Sequence, residues 1–293
     1  MINVSLPKKI LEEKLRKFLE EDLGQGDLTT LVTVPSGTVV EAEIIAKEPG
    51  VIAGVEEALT LLESFGLKAN ALVSDGAKVK ENTVVLKVVG GARAVLSVER
   101  TLLNLLSRMS GIATTTSRLI EKVRSAGYKT QIACTRKVAP GLLYFDKKAV
   151  MLGGGDTHRM HLDDLILIKD NHLAIAGSVG QAVRKARKAV SFVKKIEVEV
   201  STVNEALEAA KAGADIIMLD NLSPKQVKEA IALLETEGFR NKVMIEASGE
   251  INEQNLLEFA DAGADIISLG EITDSAKALD MSLEVVEVKK PKS

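Results

Sequence analysis

The segment AGADII occurs twice, at residues 212–217 and 262–267, each time closing a helical pattern and opening an apolar, β-rich run. One further strand–helix unit lies between the copies. Around them the runs QIACTRK, LILIKDN, KIEVEV, ADIIMLD, KVMIEAS and ADIISLG alternate with the helical patterns SVGQAVRKARKAV, TVNEALEAAKAG, SPKQVKEAIALLETEG and NEQNLLEFADAG. Apolar strands alternating with helices specify a parallel sheet covered by helices. A doubly wound sheet usually opens with a glycine-rich dinucleotide loop, and GGARAVL lacks the GxGxxG spacing. The repeats therefore predict a closed or nearly closed β/α barrel, and a nicotinamide cofactor is disfavoured.

The first hundred residues follow another pattern. MINVSLPKKILEEKLRKFLEED reads as a charged amphipathic helix, and EDLGQGDLTT as a loop. VVEAEIIAKEPGVIAG alternates as a half-buried strand does, and VEEALTLLESFG is helical. VSDGAKVKENTVVLKVVGGARAVLS predicts short strands with turns at Asp75-Gly76 and Gly90-Gly91. Together they form a small α+β unit with an antiparallel sheet. From Val98 the pattern becomes helical again, ending at a glycine near residue 127.

At 293 residues, with 46% hydrophobic and 27% charged side chains, the chain can bury one large core or two modest ones. No run of about 18 apolar residues suggests a membrane span, and no signal-peptide core is visible. A cytoplasmic enzyme is the expectation. Cys134 is the only cysteine, which excludes an intrachain disulfide, and it reads as a small buried hydrophobe.

Between Cys134 and Leu173, Arg136, Lys137, His158, Arg159 and Lys169 gather four fixed cations and one titratable base. Cations facing a pocket call for an anionic ligand, because burying them unpaired is costly. Arg forks suit carboxylate or phosphate, and Lys supplies point charges. The formal net charge is −3, so the basic focus is local; it fits a small polyanion rather than a nucleic acid.

In a barrel, residues at the C-terminal strand ends share one pocket. The strands end at Arg136-Lys137, at Lys169-Asp170-Asn171, near Glu199, at Asp220-Asn221, at Ser248-Gly249 and at Gly270-Glu271. Helix capping could account for some Asp, Asn and Ser residues, but not for Lys169, Glu199 or the Arg136-Lys137 pair. The loops EASGEIN and SLGEIT suit a phosphate, since glycine permits close backbone approach. Glu199 and Asp220 read either as counter-charges to the cations or as carboxylates meeting a Mg²⁺ carried by substrate phosphates. His158, beside Arg159, is the histidine expected to touch ligand; His161 and His172 fit loop or cap roles, and the three do not form a zinc site.

With these motifs in view, the chain resembles the quinolinate phosphoribosyltransferases, the carboxylating nicotinate-nucleotide pyrophosphorylases. EDLGQGDLTT, SGIATTT, TRKVAPGL, AVMLGGGDTHRMHLDDLILIKDNH, IEVEV, DIIMLDN, IEASGEI and SLGEIT carry the resemblance nearly end to end. It implies an α/β protein: an incomplete (β/α) barrel over 109–274, and an N-terminal α+β sandwich over 1–108 rejoined by 275–293. It implies phosphoribosyl transfer from phosphoribosyl pyrophosphate to quinolinate with Mg²⁺, giving nicotinate mononucleotide, pyrophosphate and CO₂. It also implies a homodimer with shared sites, possible assembly beyond the dimer, and no membrane or nucleic-acid partner.

Carried over by motif, Arg136, Lys137, His158, Arg159 and Lys169 surround the quinolinate carboxylates and the pyrophosphate. Arg100 reaches a neighbouring subunit's site, although by its own context it is a solvated helix charge. Glu199 and Asp220 lie near ribose and metal, while Ser248, Gly249 and Gly270 hold the 5′-phosphate. Lys137, Lys169, Glu199 and Asp220 form the implied catalytic set. Lys169 is not expected to form a Schiff base, because quinolinate has no ketone or aldehyde.

One departure is Glu250, where many relatives carry a second glycine; an early-helix position pointing away from phosphate is expected for it. Rival readings are a nicotinate-specific or molybdenum-associated relative, and a biotinyl- or lipoyl-type carrier suggested by VSDGAKVKENTVVLKVV. The retained GGGDTHRM and IKDNH favour quinolinate, and no lysine sits at an exposed hairpin tip.

Overall fold

The computed structural model describes residues 5–290. The chain opens with α1 (Lys8–Leu23), α2 (Leu28–Thr33), β1 (Val39–Ala46), β2 (Gly50–Val51), α3 (Val55–Ser64), β3 (Lys68–Ala71), β4 (Lys78–Val79) and β5 (Thr83–Gly91). The long α4 (Ala92–Ser125) precedes β6 (Gln131–Cys134), α5 (Leu143–Leu152), β7 (Ile166–Ile168), α6 (Asp170–Ala176), α7 (Val179–Ala189) and β8 (Ile196–Val200). Then come α8 (Val203–Ala212), β9 (Ile216–Asp220), α9 (Pro224–Thr236), β10 (Met244–Ser248), α10 (Leu256–Asp261), β11 (Ile266–Leu269), α11 (Glu271–Asp274) and β12 (Met281–Lys289). The described residues divide into two compact units. One comprises the chain up to 115 with 151–153 and the stretch from 276 onward; the other comprises 116–150 and 154–275.

In the first unit, β12, β1, β5 and β3 form an antiparallel sheet in that order. Along β1 the alternation puts Val40, Ala42, Ile44 and Ala46 in the core. Helix α1 buries Leu11, Leu15 and Leu19, spaced four apart on one face, and packs on α3. EDLGQGDLTT is not wholly a loop: Asp27 caps α2, its Oδ1 accepting Thr30 N–H at 3.0 Å.

Gly90 and Gly91 do not turn the chain. Both lie in β5, opposite Val40 and Val39, and α4 follows at once from Ala92. A Cβ on Gly90 would sit 2.4 Å from Leu67 Cδ2, so the glycine is there for close packing. Helix α4 thus starts six residues before Val98 and runs unbroken through residue 108, so that boundary marks no break in the backbone. Gly111 on α4 admits the segment before β12: its missing Cβ would lie 2.0 Å from Lys277 O, and Leu279 N–H donates to Ser107 O at 2.9 Å.

The second unit is a six-stranded parallel sheet in the order β6-β11-β10-β9-β8-β7. Among the described residues β6 and β7 are not paired, so the barrel is incomplete. Beside β6 the GGGDTHR segment fills part of the opening: Asp156 N–H donates to Ile132 O at 2.8 Å, and Cys134 N–H to Asp156 O at 3.1 Å.

The repeated AGAD joint has a physical basis. Gly213 and Gly263 take left-handed φ angles of 93° and 98° after α8 and α10. Asp215 then accepts Ile196 N–H at 2.7 Å and pairs with Arg187, while Asp265 accepts Ile245 N–H at 2.7 Å and a bidentate Arg240. Each copy fastens a new strand to its neighbour and to a helix end.

Candidate active site

All strands of the barrel are parallel, so their C-terminal ends open on one side. A cavity of about 580 Å³ lies there, and its lining comes entirely from the second unit. Alternate residues of each strand face it: Met218 and Asp220 on β9, Glu246 and Ser248 on β10, Ser268 and then Gly270 after β11. Arg136, Lys137, His158, Arg159, Lys169, Glu199 and Gly249 join them. Every barrel residue expected at the site lines this cavity. Arg100 does not: it is exposed on α4 in the first unit.

Lys169 and Gly270 stand at the N-caps of α6 and α11, but capping does not explain the carboxylates of Glu199 and Asp220. Ser178, Thr202 and Ser223 cap α7, α8 and α9 through their own side chains, which frees Glu199 and Asp220 from that role. His172 does serve a cap, its Nδ1 accepting Lys169 N–H at 2.9 Å. His161 is exposed, its N–H held by Asp164 at 2.8 Å.

Lys169 and Glu199 form an ion pair across β7 and β8, with the carboxylate mostly buried and the ammonium about half exposed. Arg159 is 9% exposed, and among the described residues no carboxylate pairs with its guanidinium. Burial lowers its pKa, and the nearby Arg136 lowers it further. Glu197, Glu199 and Asp164 act on it only from beyond ion-pair distance, so a buried fork beside a second arginine suits an anion.

Beneath the cations lies a cluster that sequence reasoning did not anticipate. His158 Nε2 is 3.2 Å from Glu246 Oε2 and 3.3 Å from Glu197 Oε2, and both carboxylates are fully buried. Nδ1 lies 2.8 Å from Arg159 N, and Nε2 faces the two carboxylates. Burial alone would discharge the imidazole; the two carboxylates outweigh it and raise the pKa to about 10. Burial likewise raises that of Glu197. These three residues lie close enough together to hold a metal ion, although a protonated imidazole offers it no lone pair. The signal in the sequence was an acid at an inward position of an otherwise apolar strand, Glu197 in IEVEV and Glu246 in MIEAS.

Another part of the cavity wall is built of close backbone. Gly249 has φ 91°, and a Cβ there would meet Asn221 Oδ1 at 2.2 Å. Asn221, itself left-handed at φ 55°, donates its N–H to Ser248 O at 2.9 Å and its Nδ2–H to Asp220 Oδ2 at 2.7 Å. Lys137 lies against Gly270, its Cδ 3.2 Å from where a Cβ would be, and Thr273 Oγ1 donates to Lys137 O at 2.7 Å. Glu250 departs from expectation. It lines the cavity in a left-handed bend at φ 49°, and α10 begins only at Leu256, so it is not an early-helix residue. The left-handed backbone explains why glycine suits this position. Cys134 is buried, as expected of a small hydrophobe, and burial pushes its thiol up to about 11.

Comparison with known proteins identifies the relatives of this arrangement. The family model described as quinolinate phosphoribosyl transferase, C-terminal domain, matches residues 112–284, and its N-terminal counterpart matches 27–110. A protein of Methanocaldococcus jannaschii named "Probable nicotinate-nucleotide pyrophosphorylase (carboxylating)" is 47% identical over 274 residues, covering 93% of this chain and 96% of its own. The nicotinate-nucleotide pyrophosphorylase (carboxylating) of Rattus norvegicus is 39% identical, over 96% and 92% of the two chains. Among solved structures, the nicotinate-nucleotide pyrophosphorylase of Francisella tularensis superposes with a TM-score of 0.88 at 36% identity, over 97% and 99% of the chains.

Proposed function

The chain belongs to the quinolinate phosphoribosyl transferase family, and on that footing we propose that it joins quinolinate to the phosphoribosyl group of phosphoribosyl pyrophosphate, releasing pyrophosphate and CO₂ to give nicotinate mononucleotide for NAD biosynthesis. The observation that carries this reading is the division of one cavity into a cationic wall, Arg136, Arg159 and Lys169, and a glycine-lined wall, Ser248, Gly249 and Gly270, with Glu199 and Asp220 between them. A pyridine dicarboxylate fits the first wall, and a 5′-phosphate fits the second.

The residues act mainly by placement and charge. Arg136, Arg159 and Lys169 grip the two adjacent carboxylates and aim the pyridine nitrogen at the ribosyl carbon. Lys137 stabilises the departing pyrophosphate, while Glu199 and Asp220 favour the positive charge growing on that carbon. The nitrogen's lone pair forms the new C–N bond as the C–O bond to pyrophosphate breaks. The ring is then cationic. The bond to the adjacent carboxylate breaks, CO₂ leaves, the electron pair stays on the ring carbon, and that carbon takes up a proton.

Glu199 and Asp220 are hard oxygen donors on neighbouring strands, and Asp220 Oδ2 is engaged by Asn221 while Oδ1 remains for a cation, so the pair fits Mg²⁺. Bound with the substrate phosphates, Mg²⁺ would neutralise charge on the leaving group. A homodimer in which Arg100 completes the partner's site is part of this proposal. Chromatography after incubation with quinolinate, phosphoribosyl pyrophosphate and Mg²⁺ tests it: nicotinate mononucleotide should form from quinolinate and not from nicotinate. Product from nicotinate alone would make this a one-carboxylate enzyme and overturn the reading.

A further inference from the structure

Lys147 is fully buried on α5, in a chain whose other site cations face a cavity. Its ammonium donates to Thr157 O and, at 2.8 Å, to Arg159 O. The tripeptide it bridges is under conformational strain, because His158 holds φ 51° without being a glycine. Other backbone groups of the tripeptide are tied locally. His158 N–H donates to Asp156 Oδ1 at 2.6 Å, Thr157 Oγ1 donates to His158 O at 2.9 Å, and Arg159 N lies 2.8 Å from His158 Nδ1. Lys147 is the side chain that binds both ends at once.

Burying an ammonium is costly even after relaxation, and burial lowers the Lys147 pKa accordingly. A methionine of similar length would fill the space without that cost, so the ammonium must act through its donors. We propose that Lys147 is a positioning residue of the anion site: by clamping Thr157 O and Arg159 O it fixes the left-handed turn and aims the Arg159 guanidinium into the cavity. This rests on the proposed function of that cavity, since Arg159 is taken to grip a quinolinate carboxylate. Lys147 itself does not line the cavity.

The test is a double-mutant cycle in the full-length protein, using Lys147→Met, Lys147→Gln and Arg159→Ala. Lys147→Met should raise the KM for quinolinate about tenfold or more, leaving that for phosphoribosyl pyrophosphate within roughly twofold. Lys147→Gln, which keeps an amide donor, should recover part of the loss. On the Arg159→Ala background Lys147→Met should add less than about twofold, because its route to the substrate is already gone. Additive effects in the cycle, or equal changes in both KM values, would overturn the proposal. Should Lys147→Met fail to fold, the Lys147→Gln cycle decides on the same criterion. Repeating the cycle on calorimetric binding of benzene-1,2-dicarboxylate, the same dianion without a reacting nitrogen, separates this claim from the enzymatic one. A parent protein that binds the dianion but turns over no quinolinate would refute the function and leave the positioning role standing.

Discussion

Lys169 and Glu199 neutralise one another, so an entering carboxylate must share that ammonium with Glu199. An interaction of this kind strengthens as charge shifts during reaction, and Lys169→Ala should lose at least about tenfold in turnover, roughly 1.4 kcal/mol; near-normal kinetics would remove Lys169 from the catalytic set. His158 gives a pH-dependent signature. Its folded pKa is raised to about 10, so the stability it contributes is fully present below about pH 6.5 and is lost as the pH rises through about 10. Asparagine tolerates the left-handed backbone at this position. The gap in Tm between the parent and His158→Asn should therefore narrow from pH 6 towards pH 10, and a constant gap would rule out this assignment. At this scale the cavity-facing cations were legible because they cluster around strand ends. Lys147 was not, because a lysine in a helical stretch reads as a solvated face, and only the tertiary packing shows it buried.

At the scale of elements, the strand–helix alternation was legible from β8 to β11, where each unit carries its own punctuation. The AGAD copies show why: glycine ends the helix, and aspartate ties the new strand to its neighbour and to an arginine. By contrast, α5 between β6 and β7 and the short α2, α6 and α11 were not read as helices. Elements defined by packing were harder to read. Gly90-Gly91 has the composition of a turn yet continues a strand under Leu67, and Glu250 sits in a bend rather than a helix. Gly111 is the sharpest case. Within an α-helix, alanine is intrinsically better than glycine by about 1 kcal/mol. Here its Cβ would lie 2.0 Å from a carbonyl oxygen, a clash that no rotamer change relieves. Gly111→Ala should thus lower stability by about 1–2 kcal/mol, read as a lower urea midpoint. A rise in the midpoint would mean that the 277–279 segment does not pack on α4 as described.

At the scale of the whole molecule, the open barrel and the antiparallel unit are the architecture that the repeats and the family resemblance imply, with the sheet left open between β6 and β7 and one side of that opening occupied by the GGGDTHR segment. The opening and the site are connected: the segment that pairs with the free edge of β6 also supplies His158 and Arg159. No sequence pattern announces such a non-strand partner, since its pairing depends on what the incomplete sheet leaves exposed. The decisive measurement follows ¹⁴CO₂ from quinolinate labelled in the carboxyl group adjacent to the ring nitrogen, with phosphoribosyl pyrophosphate and Mg²⁺ supplied together, singly or not at all. Label released only when both are present is the expected result. Release without phosphoribosyl pyrophosphate, or no release from folded protein, would contradict decarboxylation through a phosphoribosylated ring.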